Sequence, residues 1–446
     1  MLIRRSAPNN KEWLQGPIDF ERSFPYNNGE AAVDHEVQGS IVEEWGTGSM
    51  LNKLKKIDYT IVFILLVLMG ISIAVLYSAT SNTKFHGYEL RMALYYVLGF
   101  IAFFAVSLID YRIFVKYALY IYIFGIALLV VVMFVGSTLN NATGWIKLGS
   151  FSFQPAEFFK LLLIIFLAFM LLMKRKPKLS LWRDVLPIGL FTFIPFVLVM
   201  AQNDLGNALS YLVILAGMLW IGNIKYTHAL IALVIFAGSA FGGITAYKVY
   251  HDEVYTFFQE IGREHWIERI DPWLVPEKAT DKAIYHTKNA KLAIASGGMT
   301  GEGYMKGETV QSERVPLTYS DSIFVVIAEE FGFLGSSVLL LLYFVLIHRL
   351  ILISLECKDR SGPYLIVGIV AMFLYQIFEN IGMFIGLMPL TGITLPFISY
   401  GGTSLLINMA SIGLAMSIRI HGHEVSEEHT RPASRYALKS KVGRTS

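Results

Sequence analysis

Ten long apolar runs constrain this chain more than any other feature of its sequence. Each holds about 17 to 27 mostly apolar residues, and a helix of that length crosses a hydrocarbon layer of about 30 Å. Helices also satisfy their own backbone amides inside lipid. The sequence therefore predicts an all-α polytopic membrane protein with about ten transmembrane helices. The runs lie near residues 59–79, 92–109, 114–135, 157–173, 185–201, 205–222, 228–249, 323–349, 363–387 and 399–419.

The composition agrees with a bilayer environment. Of 446 residues, 54% are hydrophobic and only 16% are charged, whereas a soluble domain carries roughly 25% charged residues. The net charge is only +3, and the basic residues are scattered among short loops rather than gathered on one face. The sequence therefore gives no sign of a nucleic-acid-binding surface. Cys357 is the single cysteine, so no disulfide can form within the chain.

Basic residues in the short connections predict the orientation, because cytoplasmic loops collect Lys and Arg. They precede the first run and fill the fourth and eighth connections. An even number of runs then places both termini in the cytoplasm and puts connections 136–156 and 250–322 outside. The basic residues are Lys53, Lys55, Lys56, Lys174, Arg175, Lys176, Lys178, Arg183, Arg349, Lys358 and Arg360.

Three regions follow from this pattern. Residues 1–52 form a polar cytoplasmic tail, residues 53–420 the membrane domain, and residues 421–446 a second cytoplasmic tail. The outer loop 250–322, between the seventh and eighth runs, is long enough to indicate a function. Its apolar residues alternate with charges, which predicts short interfacial helices.

Acidic residues near the end of this loop are candidates for chemistry. Asp321 directly precedes the eighth run, where a carboxylate can accept a proton from a substrate hydroxyl at the membrane surface; capping the following helix is the alternative. Glu329 lies deeper, so it faces either a polar cavity or a basic partner.

Other polar residues within or beside the runs also have both a structural and a functional interpretation. Glu157 and Lys160 share a helix face, as a structural ion pair or as part of a cavity wall. Asp204, with Gln202, either caps a helix or lines that cavity. Glu379 lies deep in the ninth run and has no specific predicted role. The glycine run 297–307 is either a flexible turn or a weak phosphate-binding signal.

Several motifs together resemble the SEDS family of shape, elongation, division and sporulation proteins, represented by RodA, FtsW and SpoVE. The resemblance extends from about residue 55 to residue 420, keeps the motifs in family order, and is closest to the RodA branch. The motifs are Trp145–Gly149, Gln154–Glu157 with Lys160, Gln202–Ala208, Ala295–Gly298, Asp321–Phe324, Glu329–Gly332, Asn380–Met383, Gly386–Gly392 and Pro396–Ser404.

This resemblance implies a peptidoglycan glycosyltransferase that joins lipid II units at the outer leaflet of the bacterial plasma membrane. It implies that Asp321 is the general base, that the reaction inverts the anomeric centre, and that undecaprenyl pyrophosphate leaves. Mg²⁺ or Mn²⁺, or basic residues, would assist departure of the pyrophosphate, although no dedicated metal site is visible. A class B penicillin-binding transpeptidase and other membrane proteins of elongation or division complexes are the implied partners. The implied cavity residues are Glu157, Lys160, Gln202, Asp204, Ser320, Glu329, Ser399, Tyr400, Gly401 and Gly402.

The chain departs from the family pattern near this site. Thr143 and Gly144 stand where a basic residue is usual, and Glu302 stands where Lys is frequent. Leu317 and Tyr319 replace Glu and His in the segment that ends at Asp321. These differences indicate altered substrate handling, special regulation or reduced activity, while retention of Asp321 argues against loss of catalysis.

Two other functions fit ten spans with buried acidic residues. One is a flippase or transporter of the lipid-linked precursor, although no inverted repeat is apparent. The other is a non-catalytic scaffold for cell-wall enzymes. Neither requires Asp321 to be ionisable, so its amide variant distinguishes both from a glycosyltransferase.

Overall fold

The structure, a computed structural model, describes residues 53, 55–81, 83–139, 142–149, 151–174 and 178–422. The predicted tails, 1–52 and 421–446, lie outside these residues except for residues 421 and 422. The helices are α1 (Tyr59–Thr80), α2 (Tyr88–Leu108), α3 (Tyr111–Lys116), α4 (Ala118–Val135), α5 (Pro155–Leu172), α6 (Leu186–Ala201, preceded by a π-helical turn, Leu181–Val185), α7 (Leu205–Ile221), α8 (Tyr226–Val249), α9 (His251–Glu260), α10 (Glu264–Leu274), α11 (Asp281–Ser296), α12 (Glu308–Gln311), α13 (Ile323–Glu356), α14 (Ser361–Ile385) and α15 (Gly402–His421).

The helices confirm the predicted fold class. Within the described ranges, nine helices have the length and apolar composition needed to span a membrane, and α7 is a shorter apolar helix of 17 residues. Every predicted run overlaps one of these ten helices. The third run is divided, because α3 ends at Lys116 and α4 begins at Ala118. A total of ten crossings remains a prediction.

The most deeply packed helices are α5, α14 and α15. Helix α15 approaches α2 so closely that a Cβ at Gly413 would lie 2.6 Å from the carbonyl oxygen of Phe103. In contrast, α8 has no buried residue, and its apolar side chains face outward along its whole length. The core therefore lies around α5, α14 and α15, while α8 lies outside it.

A small antiparallel sheet occupies the connection between α4 and α5. Its strands are β1 (Ser137–Leu139), β2 (Ala142–Leu148) and β3 (Phe151–Phe153), in that order. Ile146 pairs with Phe153 and Leu148 with Phe151. The sequence analysis did not anticipate this sheet, because strands of three to seven residues are too short for a periodic pattern to be recognised.

Helix α13 is broken at Gly332, where φ is 62° and ψ is −157°. The glycine run packs against this break. A Cβ at Gly301 would lie 2.1 Å from the carbonyl oxygen of Glu330, and the amides of Glu302 and Gly303 donate to the carbonyls of Glu329 and Glu330 at 2.9 and 3.1 Å. The run is therefore a close backbone contact with α13, and two of its amides are already engaged by α13 rather than open to a phosphate.

At the opposite end of α13, one buried carboxylate joins three helices. Asp58 is 2% exposed, and its Oδ1 accepts from the Thr60 amide at 3.0 Å at the start of α1. Its Oδ2 accepts from Arg349 on α13 and from Nη1 of Arg419 on α15 at 3.2 Å. We call Asp58, Arg349 and Arg419 the carboxylate clamp.

Candidate functional site

Asp321 lies in the turn that leads into α13, and the backbone of this turn is held from two sides. Asn380, fully buried on α14, donates from Nδ2 to the carbonyls of Asp321 and Ile393, each at 2.7 Å. Nε2 of His286 on α11 lies 3.3 Å from the Ser322 hydroxyl, which donates to the Pro316 carbonyl at 2.9 Å. Asp321 is thus presented by a fixed backbone.

The His286 end of this hydrogen-bond chain has a defined protonation state. Burial lowers the pKa of His286 to about 4, so the imidazole is neutral near pH 7. Because the Ser322 hydroxyl donates to Pro316, its oxygen accepts from His286, which requires the tautomer protonated on Nε2. A neutral ring adds no charge beside Asp321.

The carboxyl group of Asp321 is half-buried and has unused acceptor capacity. Its Oδ1 is shielded from solvent, and no described residue donates a hydrogen bond to it. Burial raises the pKa of Asp321 to about 6, against the weaker lowering effects of its own amide, Arg269 and the Ser322 amide. A group with this pKa is ionised at neutral pH and basic enough to take a proton.

Arg269 on α10 joins Asp321 to a second polar cluster. It is half-buried, and burial lowers its pKa while the charges of Asp204 and Asp321 raise it. A guanidinium remains charged in proteins. The sequence analysis missed Arg269, since the fold of the loop, not its spacing in the chain, brings α10 to these carboxylates; its only signal was a basic residue in an amphipathic segment.

The second cluster contains four of the predicted cavity residues. Asp204 caps α7 by accepting from the Asn207 amide at 3.1 Å, and its Oδ2 accepts from Gln154 at 2.7 Å. Glu157 and Lys160 form an ion pair of 2.7 Å on α5, with Lys160 fully buried. Their charges act on Asp204.

Gln202, the fourth predicted residue, is also buried there. It donates to the Leu129 carbonyl at 3.0 Å, and its Oε1 has no donor among the described residues. It faces Gly144, where a Cβ would lie 3.4 Å from that oxygen. The structural readings of Asp204 as a cap and of Glu157–Lys160 as an ion pair therefore hold together with placement in a shared polar cluster.

Glu329 is directed elsewhere. Its carboxylate accepts from the amides of Thr309 and Val310 at 2.8 and 3.0 Å, which fixes the first turn of α12. Glu302, one of the departures from the family pattern, supports the same turn by accepting from the Glu308 amide at 3.0 Å. These contacts give Glu329 a structural task, and its position in the substrate cavity stays a prediction.

Tyr400 connects the loop before α15 to the Asp321 turn. Its amide donates to the Tyr319 carbonyl at 2.9 Å, and its ring stacks on Tyr88 with centroids 4.3 Å apart. The Tyr319 ring lies 4.5 Å from Phe85 and edge-on to Tyr88 at 5.3 Å. Tyr319, which stands where the resemblance implies a His, is therefore part of an aromatic cluster two residues from Asp321.

The remaining predicted residues shape the backbone around the site. Ser320 donates its amide to the Leu317 carbonyl at 2.9 Å, and Leu317 itself has a φ of 56°. Ser399 accepts from the Leu395 amide at 2.8 Å. Gly401 precedes α15, and a Cβ at Gly402 would come within about 3 Å of the Phe151 and Tyr95 rings.

Glu379, without a predicted role, accepts from the Thr391 hydroxyl at 2.9 Å. Its neighbour Asn380 is more informative, because it ties Asp321 to α14. The sequence showed Asn380 only as part of a motif, and the two carbonyls that it binds are 59 and 13 residues away in the chain. No local signal could have identified them.

Comparison with known proteins places this geometry in a family. The profile of the family described as "Cell cycle protein", which covers FtsW, RodA and SpoVE, matches residues 56–424. Stage V sporulation protein E of Bacillus subtilis is 32% identical over 378 residues, covering 83% of this chain and 98% of that protein. Peptidoglycan glycosyltransferase MrdB of Escherichia coli K12 is 32% identical over 379 residues, covering 83% and 95%.

Solved structures agree. A chain in a study titled as the structural coordination of polymerization and crosslinking by a peptidoglycan synthase complex superposes with a TM-score of 0.67 at 27% identity, covering 82% of this chain and 99% of that one. The rod shape determining protein RodA of Thermus thermophilus gives a TM-score of 0.60 at 27% identity, covering 82% and 98%. The chain therefore belongs to the FtsW/RodA/SpoVE family of multi-pass membrane proteins.

Proposed function

We propose that this protein is a peptidoglycan glycosyltransferase that polymerises lipid II at the outer face of the bacterial plasma membrane. The observation that carries the proposal is Asp321: a carboxyl group with a pKa of about 6 and a shielded oxygen that accepts no hydrogen bond from the described residues. The peptidoglycan glycosyltransferase MrdB of Escherichia coli, which is 32% identical, supports it by its name. Stage V sporulation protein E of Bacillus subtilis, also 32% identical, is a further relative of the same family.

In the proposed reaction, the 4-hydroxyl of the GlcNAc of one lipid II attacks the anomeric carbon of the MurNAc at the end of the growing chain. Asp321 accepts the hydroxyl proton as the new oxygen–carbon bond forms. The bond from that carbon to the pyrophosphate oxygen breaks with inversion, and undecaprenyl pyrophosphate leaves. Asn380 and Ser322 hold the turn, so the base is positioned before substrate binds.

Arg269 provides the fixed positive charge that a departing pyrophosphate requires. Its charge interacts with those of Asp321 and Asp204, so it is close to both the base and the second polar cluster. Lys160 is held by Glu157 at 2.7 Å and keeps that cluster close to neutral. The wall of the site is thus polar without carrying a large net charge.

A resident divalent cation fits these residues poorly. Among the described residues, no group of three or more His, Cys, Asp or Glu side chains could hold a metal ion. Mg²⁺ commonly binds through one or two carboxylates, water and substrate phosphates, so we propose that any Mg²⁺ or Mn²⁺ required arrives with the pyrophosphate. No step above depends on it.

The proposed membrane orientation places both termini in the cytoplasm and the Asp321 turn outside, as the basic connections predict. The proposed partner is a class B penicillin-binding transpeptidase. Its support is the match to a chain from a peptidoglycan synthase complex in which polymerization is coordinated with crosslinking. Co-purification of the tagged protein with a candidate transpeptidase tests the partner, and modification of a cysteine introduced at Asp281 by a membrane-impermeant reagent tests the orientation.

Incubation of the purified protein with fluorescent lipid II, with and without Mg²⁺ or Mn²⁺ and the transpeptidase, tests the activity. We expect glycan polymer on a gel from the wild type and none from Asp321→Asn. Asp281→Asn removes an exposed carboxylate from the same loop and serves as the matched control with full activity.

Polymer from Asp321→Asn would exclude Asp321 as the base. Absence of polymer from the wild type under every condition would favour a scaffold, or a flippase if lipid II crosses vesicles containing the protein.

A further inference from the structure

A cavity lies between α10 and α11, beside the site but separate from the Asp321 turn. Its volume is about 330 Å³, within the range of roughly 300–1,000 Å³ typical of small-molecule pockets. Most of its lining is apolar, and two lysine side chains also contribute to it. The lining residues are Pro272, Pro276, Ile284, Thr287, Lys288, Lys291 and Leu292. We call it the α10–α11 cleft.

The two amines of the cleft are available to an anion. Lys288 and Lys291 lie three residues apart on α11, which places them on one face of the helix, and both are exposed. Neither forms a salt bridge with any residue that the structure describes, whereas Lys278, in the connection before α11, pairs with Asp252 at 2.7 Å. The cleft therefore combines an apolar wall with unneutralised positive charge.

A second, much smaller pocket of about 10 Å³ adjoins the cleft. It shares Pro272, Thr287 and Lys291 with the cleft and continues along Arg269 and the end of α14 at Gly386. A Cβ at Gly386 would lie 2.5 Å from the Lys291 amine, so glycine makes room for this amine. Arg269, which lines this second pocket, is the residue whose charge acts on Asp321.

The geometry points to a binding site for a polyisoprenoid diphosphate in the α10–α11 cleft. Lys288 and Lys291 would bind the diphosphate through charge-assisted hydrogen bonds, and Pro272, Pro276, Ile284 and Leu292 would contact the first isoprene units. The amphipathic helix α10 lies in a segment suited to the membrane interface, where such a molecule presents its headgroup. This inference rests on the proposed function, because it assigns the cleft to the leaving group of that reaction.

Equilibrium binding of radiolabelled farnesyl diphosphate to the full-length protein in phosphatidylcholine nanodiscs tests the site. We expect Lys288→Gln combined with Lys291→Gln to raise the Kd by roughly tenfold or more, because two charged hydrogen-bond donors are lost. Lys278→Gln is the matched control and should leave the Kd unchanged. Farnesol, which lacks the diphosphate, should bind equally weakly to both proteins.

Three results would overturn the assignment: an unchanged Kd in the double variant, equal binding of farnesol and farnesyl diphosphate, or displacement of the probe by phosphatidylglycerol as effectively as by unlabelled probe. The last would assign the cleft to bulk phospholipid. Polymerisation of lipid II is measured in parallel. Polymer formation with an unchanged Kd rejects the cleft alone, whereas lysine-dependent binding without polymer from the wild type rejects the proposed activity.

Discussion

At the scale of single residues, the proposed role of Asp321 predicts that the rate of polymerisation depends on pH. The general base must be ionised, and burial raises its pKa to about 6. Polymerisation should therefore be half-maximal near pH 6, fall about tenfold per pH unit on the acidic side and level off above pH 7. Initial rates of lipid II consumption between pH 4.5 and pH 8 test this, with thermal stability recorded at each pH. A rate independent of pH across this range would contradict the assignment.

Asn380 leads to a second residue-scale prediction. Asn380→Leu keeps much of the volume but removes both donors that hold the carbonyls of Asp321 and Ile393. Because Asp321 would lose its fixed position, kcat should fall about 100-fold with little change in KM. Asn289→Leu, which removes an exposed hydrogen bond from the side chain to the Arg314 carbonyl, is the control. An unchanged kcat, or a rise in KM as large as the fall in kcat, would exclude a positioning role for Asn380.

The site could be predicted from sequence only where chemistry follows local order. Asp321, before an apolar run and within a family motif, was recognisable for that reason. Arg269 and the partners of Asn380 depend on how the outer loop folds back over the helices, which no spacing reveals. For Glu329, the motif indicated the residue, but its position along the eighth apolar run did not show that the amides of Thr309 and Val310 donate to its carboxylate.

At the scale of elements, the contact between the glycine run and α13 predicts a large effect of a single methyl group. Gly301 has a φ of 81°, and a Cβ there would lie 2.1 Å from the Glu330 carbonyl oxygen. Gly301→Ala should therefore lower the free energy of unfolding by about 2–4 kcal/mol, from strain and backbone displacement. Gly238→Ala on α8, with nothing within 4 Å, is the control. Thermal unfolding in detergent gives the comparison; an unchanged midpoint for Gly301→Ala would refute this contact.

The same elements show which part of the fold the sequence could predict. Long apolar runs locate helices such as α1 and α14 within a few residues, because lipid imposes a minimum length. The same rule is silent about Gly332, since a break inside an apolar run leaves the run apolar. The β-sheet in the connection between α4 and α5 was equally invisible, as each of its strands depends on its neighbours.

At the scale of the whole molecule, the carboxylate clamp links α1, α13 and α15. Asp58→Asn would leave Arg349 and Arg419 facing a neutral amide, so we expect a loss of about 1.5–3 kcal/mol in the free energy of unfolding. Glu308→Gln, at an exposed pair 3.9 Å long, should cost less than about 0.5 kcal/mol. Unfolding midpoints in matched detergent measure both. Equal small effects would show that the clamp does not join the helices.

The break in α13 also bears on how the chain is synthesised and inserted. At Gly332 the helix releases the carbonyls of Glu329 and Glu330, which then accept from Glu302 and Gly303. A carbonyl left unsatisfied in lipid costs several kcal/mol, so the first two turns of α13 cannot settle into the bilayer alone. The residues that satisfy them precede α13 in the chain and leave the ribosome first. We therefore expect the insertion of this helix to depend on a loop that has already been translated, so that the order of the sequence is also an order of assembly.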